Sequence, residues 1–113
     1  MARTPKPGSS VRGSRTGRPV MALLDLLGRR WTLRVLWELR SGPLTSRALR
    51  SACGGLSPSV LNARTKELRE AGLVALDEPG GYALTPLGQD LVERFLPLVE
   101  WSERWAEATG GLG

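Results

Sequence analysis

Apolar residues recur along this chain in two rhythms. Val20, Leu23, Leu24 and Leu27 follow the 0, 3, 4, 7 spacing of an amphipathic helix, with Pro19 suited to its first turn and Gly28 to its C-terminal cap. A second helix is expected over residues 30–40, where Trp31, Val35, Leu36 and Leu39 lie along one side, Leu33 and Trp37 widen it, and Ser-Gly-Pro ends it. Ser46 reads as the cap of a short third helix in which Leu49 and Cys53 are four apart and share a face. Ser57 and Pro58 open a fourth that runs to Ala71, with Gly72 closing it. The period then shortens to two: Val74 to Leu76 and Tyr82 to Leu84 alternate as strands do, with Glu-Pro-Gly-Gly as a hairpin tip. Thr85 and Pro86 start a last helix reaching about Ala106.

The order helix, helix, short helix, longer helix, hairpin, helix predicts a mainly α chain with a small β-hairpin, in which two helices joined by a glycine-containing turn lead directly into a wing. The expected division is a disordered arm at residues 1–18, poor in anything to bury, one domain over 19–106 and a flexible tail at 107–113. With 113 residues of which 41% are hydrophobic, there is material for one modest core.

The fourth helix divides by angle. At about 100° per residue, Leu61, Thr65 and Leu68 face inward while Ser59, Asn62, Ala63 and Lys66 face out, and Arg64 sits on the flank. Thr65 occupies a position where an apolar residue is expected. Its hydroxyl can bond the carbonyl of Leu61, and replacing it with leucine is expected to raise stability. The last helix is apolar on more than one face: Leu91, Phe95 and Leu98 form one stripe, Val92, Leu96 and Val99 another, and Trp101 with Trp105 extends the surface, while Pro97 should kink it.

Charge adds a partner to this picture. Arg3, Lys6, Arg12, Arg15 and Arg18 make the arm uniformly basic, residues 29–69 hold nine basic side chains against Glu38 and Glu67, and residues 70–113 hold eight acidic against two basic. A basic arm and middle with an acidic end is the footprint of a chain whose one part meets phosphate.

The stretches LLDLLGRRWTLRVLWELRSGP, LSPSVLNARTKELREAGLV and YALTPLGQDL resemble the HxlR family of winged helix-turn-helix transcriptional regulators, relatives of the MarR group, over about residues 18–105. The resemblance implies a homodimeric regulator that binds double-stranded DNA at a palindromic operator, with residues 58–71 as the recognition helix and dimer contacts from the first and last helices. On that reading the DNA-binding candidates are Ser57, Ser59, Asn62, Arg64 and Lys66 on the fourth helix, Ser46, Arg47 and Arg50 on the third, and Arg12, Arg15 and Arg18 in the arm. Dimer candidates are Leu23, Leu27, Phe95, Val99, Trp101 and Trp105. Three departures stand out. Many family members carry a sensing cysteine before the first helix, where this chain has Arg18, Pro19 and Val20; family wings are often basic, but this one reads Asp77, Glu78, Pro79, Gly80, Gly81; and the family usually has leucine at Thr65.

Other chemistry finds little support. There is no histidine, no nucleotide-binding glycine loop and no catalytic carboxylate pair, so neither an enzyme, a metal site nor a cofactor is expected. No apolar run approaches a membrane span and no signal sequence opens the chain, which reads as cytoplasmic. Cys53 is expected to be buried as a small hydrophobe. A small-molecule effector, of unknown identity, would find an apolar site among Trp31, Trp37, Phe95, Trp101 and Trp105. The competing reading is a winged helix that binds an acidic protein through its basic face.

Overall fold

The computed structural model describes residues 18–78 and 80–110. Its elements are α1 (Pro19–Leu27), α2 (Thr32–Glu38), β1 (Leu44–Thr45), α3 (Ser46–Ala52), α4 (Pro58–Glu70), β2 (Val74–Asp77), β3 (Gly81–Leu84) and α5 (Pro86–Ala108). The expected arm, apart from Arg18, and the last three residues lie outside the described residues.

The core is built where one stripe of each helix converges: Leu26 of α1, Val35 and Leu36 of α2 with Leu39 beyond it, Leu49, then Leu61 and Leu68 of α4, and Val92 of α5. Burying each of these side chains contributes about 1.5–3 kcal/mol. In α1 the buried pair is Ala22 and Leu26, while Leu23 and Leu27 are half-buried and Val20 and Leu24 exposed. The expected 20, 23, 24, 27 stripe is therefore rotated. The helix reads PVMALLDLL, apolar almost all round, and such a sequence carries little information about which face turns inward.

Three local differences have physical causes. The second helix starts at Thr32 because Trp31 sits in the left-handed region at φ 76°, unusual for a residue with a side chain. Arg30 lays its guanidinium over that indole, 5.4 Å from the ring centroid. The cap of α3 is Thr45, whose Oγ1 accepts from the Ala48 N–H at 3.1 Å, and Ser46 is the first helical residue instead. A third strand, β1, pairs antiparallel with β3 through Leu44 opposite Tyr82 and Thr45 opposite Gly81, making the sheet order β1-β3-β2. Two residues are too few to show a period of two.

The wing returns to the core through close backbone approaches. Thr85 caps α5, its Oγ1 accepting from Gly88 N–H at 3.0 Å while donating to the Gly72 carbonyl at 2.7 Å, and its own N–H donates to the Leu73 carbonyl. Gly88 is needed there: a Cβ would stand 2.0 Å from the Leu73 carbonyl oxygen. α5 continues two residues past the expected end, with Pro97 inside it.

Candidate nucleic-acid interface

Residues 46–70 set two helices across a tight turn. Gly54 and Gly55 have φ 82° and 85°, and the Arg50 carbonyl accepts from the N–H groups of Gly55 and Leu56. The Arg50 guanidinium closes the same turn, its Nε donating to the Leu56 carbonyl at 2.8 Å. Arg34 braces the preceding helix from α2, donating to the Ala52 carbonyl at 2.9 Å and pairing with Glu38 at 2.7 Å. The angle between α3 and α4 is thus held by arginines acting on backbone carbonyls as well as by Leu49, Cys53 and Leu56 beneath.

α4 begins with Ser57 as its cap, Oγ accepting from Val60 N–H at 3.3 Å, and Pro58 in the first turn. The angular division read from the sequence holds. Leu61, Thr65 and Leu68 are buried, and Ser59, Asn62, Ala63 and Lys66 are exposed on the opposite side. Thr65 Oγ1 donates to the Leu61 carbonyl at 2.9 Å, as its inward position requires.

The other sequence candidates divide. Arg47 is exposed at the start of α3, and Ser46 is half-buried there, its N–H donating to the Gly80 carbonyl at the wing. Arg50 is committed to the turn through Nε. Arg64 is half-buried with its Nε 3.2 Å from Glu67 Oε1, so it leans into the protein along the flank of α4. Arg18 precedes α1 and is exposed; Arg12 and Arg15 lie outside the described residues. The structure brings Ser57, Ser59, Asn62 and Lys66 onto one exposed helix surface, which is continuous in sequence with the turn that positions it.

Sequence reasoning missed an ion-pair group behind that helix. Arg29, in the α1–α2 connection, donates through Nη1 to Glu67 Oε2 at 2.5 Å and lies 3.5 Å from Asp25 Oδ2 through Nη2. The spacings Asp25 to Arg29 and Arg64 to Glu67 are helical neighbours visible in the sequence, but the link joining the two pairs spans 38 residues.

A family model described as HxlR-like helix-turn-helix matches residues 26–110. The chain belongs to the HxlR family. It is a transcriptional regulator of the HxlR/MarR winged-helix type, from a family of regulators rather than enzymes. Among its relatives, YvaP of Bacillus subtilis, an uncharacterized HTH-type transcriptional regulator, is 28% identical over 90 residues, 74% of this chain and 83% of YvaP. Quinone-bound YodB from B. subtilis superposes with a TM-score of 0.69 at 26% identity, over 75% of this chain and 94% of YodB. A MarR-family regulator from Enterococcus faecalis superposes at 0.70 and 26% identity, over 90% of this chain and 98% of its own.

Beyond the helix-turn-helix, this HxlR chain exposes an apolar surface on α1 and α5. Val20, Leu24, Leu87, Leu96, Leu98, Val99, Trp101 and Trp105 are each more than two-fifths exposed, and the two tryptophan rings stack with centroids 6.0 Å apart. Of the expected dimer residues, Val99, Trp101 and Trp105 lie on this surface; Leu23, Leu27 and Phe95 are half-buried, and Leu27 packs against the core. A cleft of about 410 Å³ between α2 and α5 is lined by Trp37 and Phe95 with Leu33, Leu98 and Val99, but not by Trp31, Trp101 or Trp105. A second cavity of about 570 Å³ lies among α1, the end of α4 and the start of α5. Cys53 is buried and its thiol is pushed up chiefly by that burial, with Arg34 opposing and Glu38 adding to the shift. Among the described residues no helix is long and apolar enough to cross a membrane.

Proposed function

We propose that this regulator acts as a homodimer on a palindromic operator in double-stranded DNA, with α4 in the major groove. The observation that carries the reading is the division of α4: its inner face is fully buried while Ser59, Asn62 and Lys66 stand exposed beyond a cap and a glycine turn. A helix so presented contacts base edges through its N-terminal residues, which gives Ser59 and Asn62 to the bases and Lys66 to phosphate. Asn62 can pair bidentately with adenine. Arg47 supplies phosphate contacts from α3, and the basic arm adds attraction that the wing, with Asp77 and Glu78, does not. The guanidinium of Arg50 and that of Arg64 serve the framework first and phosphate second.

The apolar surface of α1 and α5 is assigned to the second copy, consistent with two-fold pairing of two half-sites. The α2–α5 cleft is the place for an apolar effector. YodB, to which this chain is similar, is solved with a quinone bound, and the buried Cys53 argues that an effector response here does not run through thiol chemistry. A gel shift with the DNA upstream of this chain's own gene, under heparin competition, is expected to give a discrete competitor-resistant complex. Smearing that heparin abolishes would favour the alternative, a winged helix that binds an acidic protein.

A further inference from the structure

Beyond the turn that Arg50 closes at its start, α4 has two kinds of attachment. Leu61, Thr65 and Leu68 hold it by packing into the core, a contribution that is largely non-directional. The ion-pair group adds direction. Asp25 on α1, Arg29 in the connection, and Glu67 with Arg64 on α4 form a chain of two acids and two arginines, with side-chain exposures of 10%, 11%, 14% and 21%. At such depth, removing one member takes away part of its neighbours' charge compensation. A planar guanidinium meeting a carboxylate also fixes an angle that a packed leucine does not.

The connection itself is rigid. Arg29 N–H donates to the Leu26 carbonyl at 3.2 Å, the Arg29 carbonyl accepts from Thr32 N–H at 3.2 Å, and Trp31 follows in the left-handed region. Arg29 is thus held through both its N–H and its carbonyl, and its side chain reaches from the end of the helix that exposes Val20 and Leu24 to the helix that exposes Asn62 and Lys66.

We propose that Arg29 is the positioning residue for the recognition helix: through Glu67 it sets the tilt of α4 against α1, and so the separation and angle of the two reading helices in a dimer. This rests on the DNA-reading role given above. Arg29 touches no DNA in this account; it acts through Glu67.

The test uses the full chain with Arg29→Met, Arg29→Lys and Glu67→Gln, and DNA duplexes selected by the unmodified protein. Each is measured by fluorescence anisotropy against the natural two-half-site duplex, duplexes with half-sites moved by one or two base pairs, and an isolated half-site. Arg29→Met is expected to weaken binding at natural spacing about tenfold, a typical coupling effect, to leave the half-site within about twofold, and to flatten the dependence on spacing. Arg29→Lys, which keeps the charge but not the planar fork, is expected to recover the half-site and only part of the spacing dependence. Equal losses on half-site and full duplex, or an unchanged spacing profile in a folded Arg29→Met protein, would overturn the proposal. Should Arg29→Met fail to fold, Glu67→Gln carries the same expectations. Should the unmodified protein select no DNA, the functional reading falls, and positioning is read separately. Spin labels on Leu24→Cys and Asn62→Cys in a Cys53→Ser chain, diluted with unlabelled protein, report the α1–α4 distance. A distribution broadened by Arg29→Met supports the relay, and an unchanged width contradicts it.

Discussion

Thr65 is fully enclosed, and its hydroxyl is shared between the carbonyls of Leu61 at 2.9 Å and Asn62 at 3.3 Å. The gain expected from a leucine there assumed spare room. With the site closed on all sides, Thr65→Leu is expected to lower stability by about 1–3 kcal/mol through overpacking, whereas Thr65→Val keeps the shape and should stay within about 1 kcal/mol of the parent. Urea denaturation of the two variants checks the order, and a more stable leucine variant would show that α4 can move outward. Cys53 is enclosed as well. Its folded thiol ionises at higher pH than the unfolded one, so its contribution is complete below the ordinary thiol range and declines as pH climbs through that range towards the folded value. Cys53→Ala should therefore flatten the alkaline fall in stability, and native-state alkylation at neutral pH should be slow until denaturant is added. Asn62 faces out, and Asn62→Ala is expected to cost about 1–3 kcal/mol at the preferred sequence while leaving binding to random duplex nearly unchanged, as anisotropy titrations on both would show.

At the scale of elements, the parts that follow from periodicity were readable and the parts that depend on phase or distance were not. α4 alternates polar and apolar faces, so its inward and outward residues follow from the helical angle alone. α1 is apolar on nearly every face, so the same rule chose the wrong stripe. β1 has two residues and exists because Gly81 lets it approach: a Cβ there would lie 2.3 Å from the Leu44 carbonyl oxygen. The Arg29–Glu67 link joins residues 38 apart, and nothing in local spacing announces it. The wing-to-helix junction gives the element-scale prediction. Gly88→Ala drives a methyl into the Leu73 carbonyl, and because both sides are backbone the relief must come from moving α5. A loss of about 2–4 kcal/mol is expected, measured as a lowered midpoint in thermal unfolding, with the near-ultraviolet signal of the tryptophans reporting any displacement of α5.

For the molecule as a whole, the concentration of basic charge and most of the exposed apolar residues fall in different parts of the chain. The basic residues concentrate in the arm and in residues 29–69, and the exposed large apolar residues, Leu33 and Leu76 apart, lie in α1 and α5. Association should therefore use one region and DNA the other. If the proposed homodimer forms through this surface, replacing Trp101 and Trp105 together with serine is expected to give a monomer in sedimentation velocity, since tryptophans buried at an interface commonly contribute about 2 kcal/mol or more each. Deleting residues 1–17 should leave the association state of the full chain unchanged but weaken DNA binding and lower the slope of log affinity against log salt, because fewer counterions are released. Two recognition helices paired on symmetric DNA would leave their spacing in the sequence they select. Selection of bound duplexes from a random library tests this pairing most directly. Enrichment of a two-fold symmetric sequence is expected, its half-sites centred about 10 base pairs, or a multiple of one helical turn, apart. Recovery of sequences with no common motif, or of single asymmetric sites, would contradict the pairing.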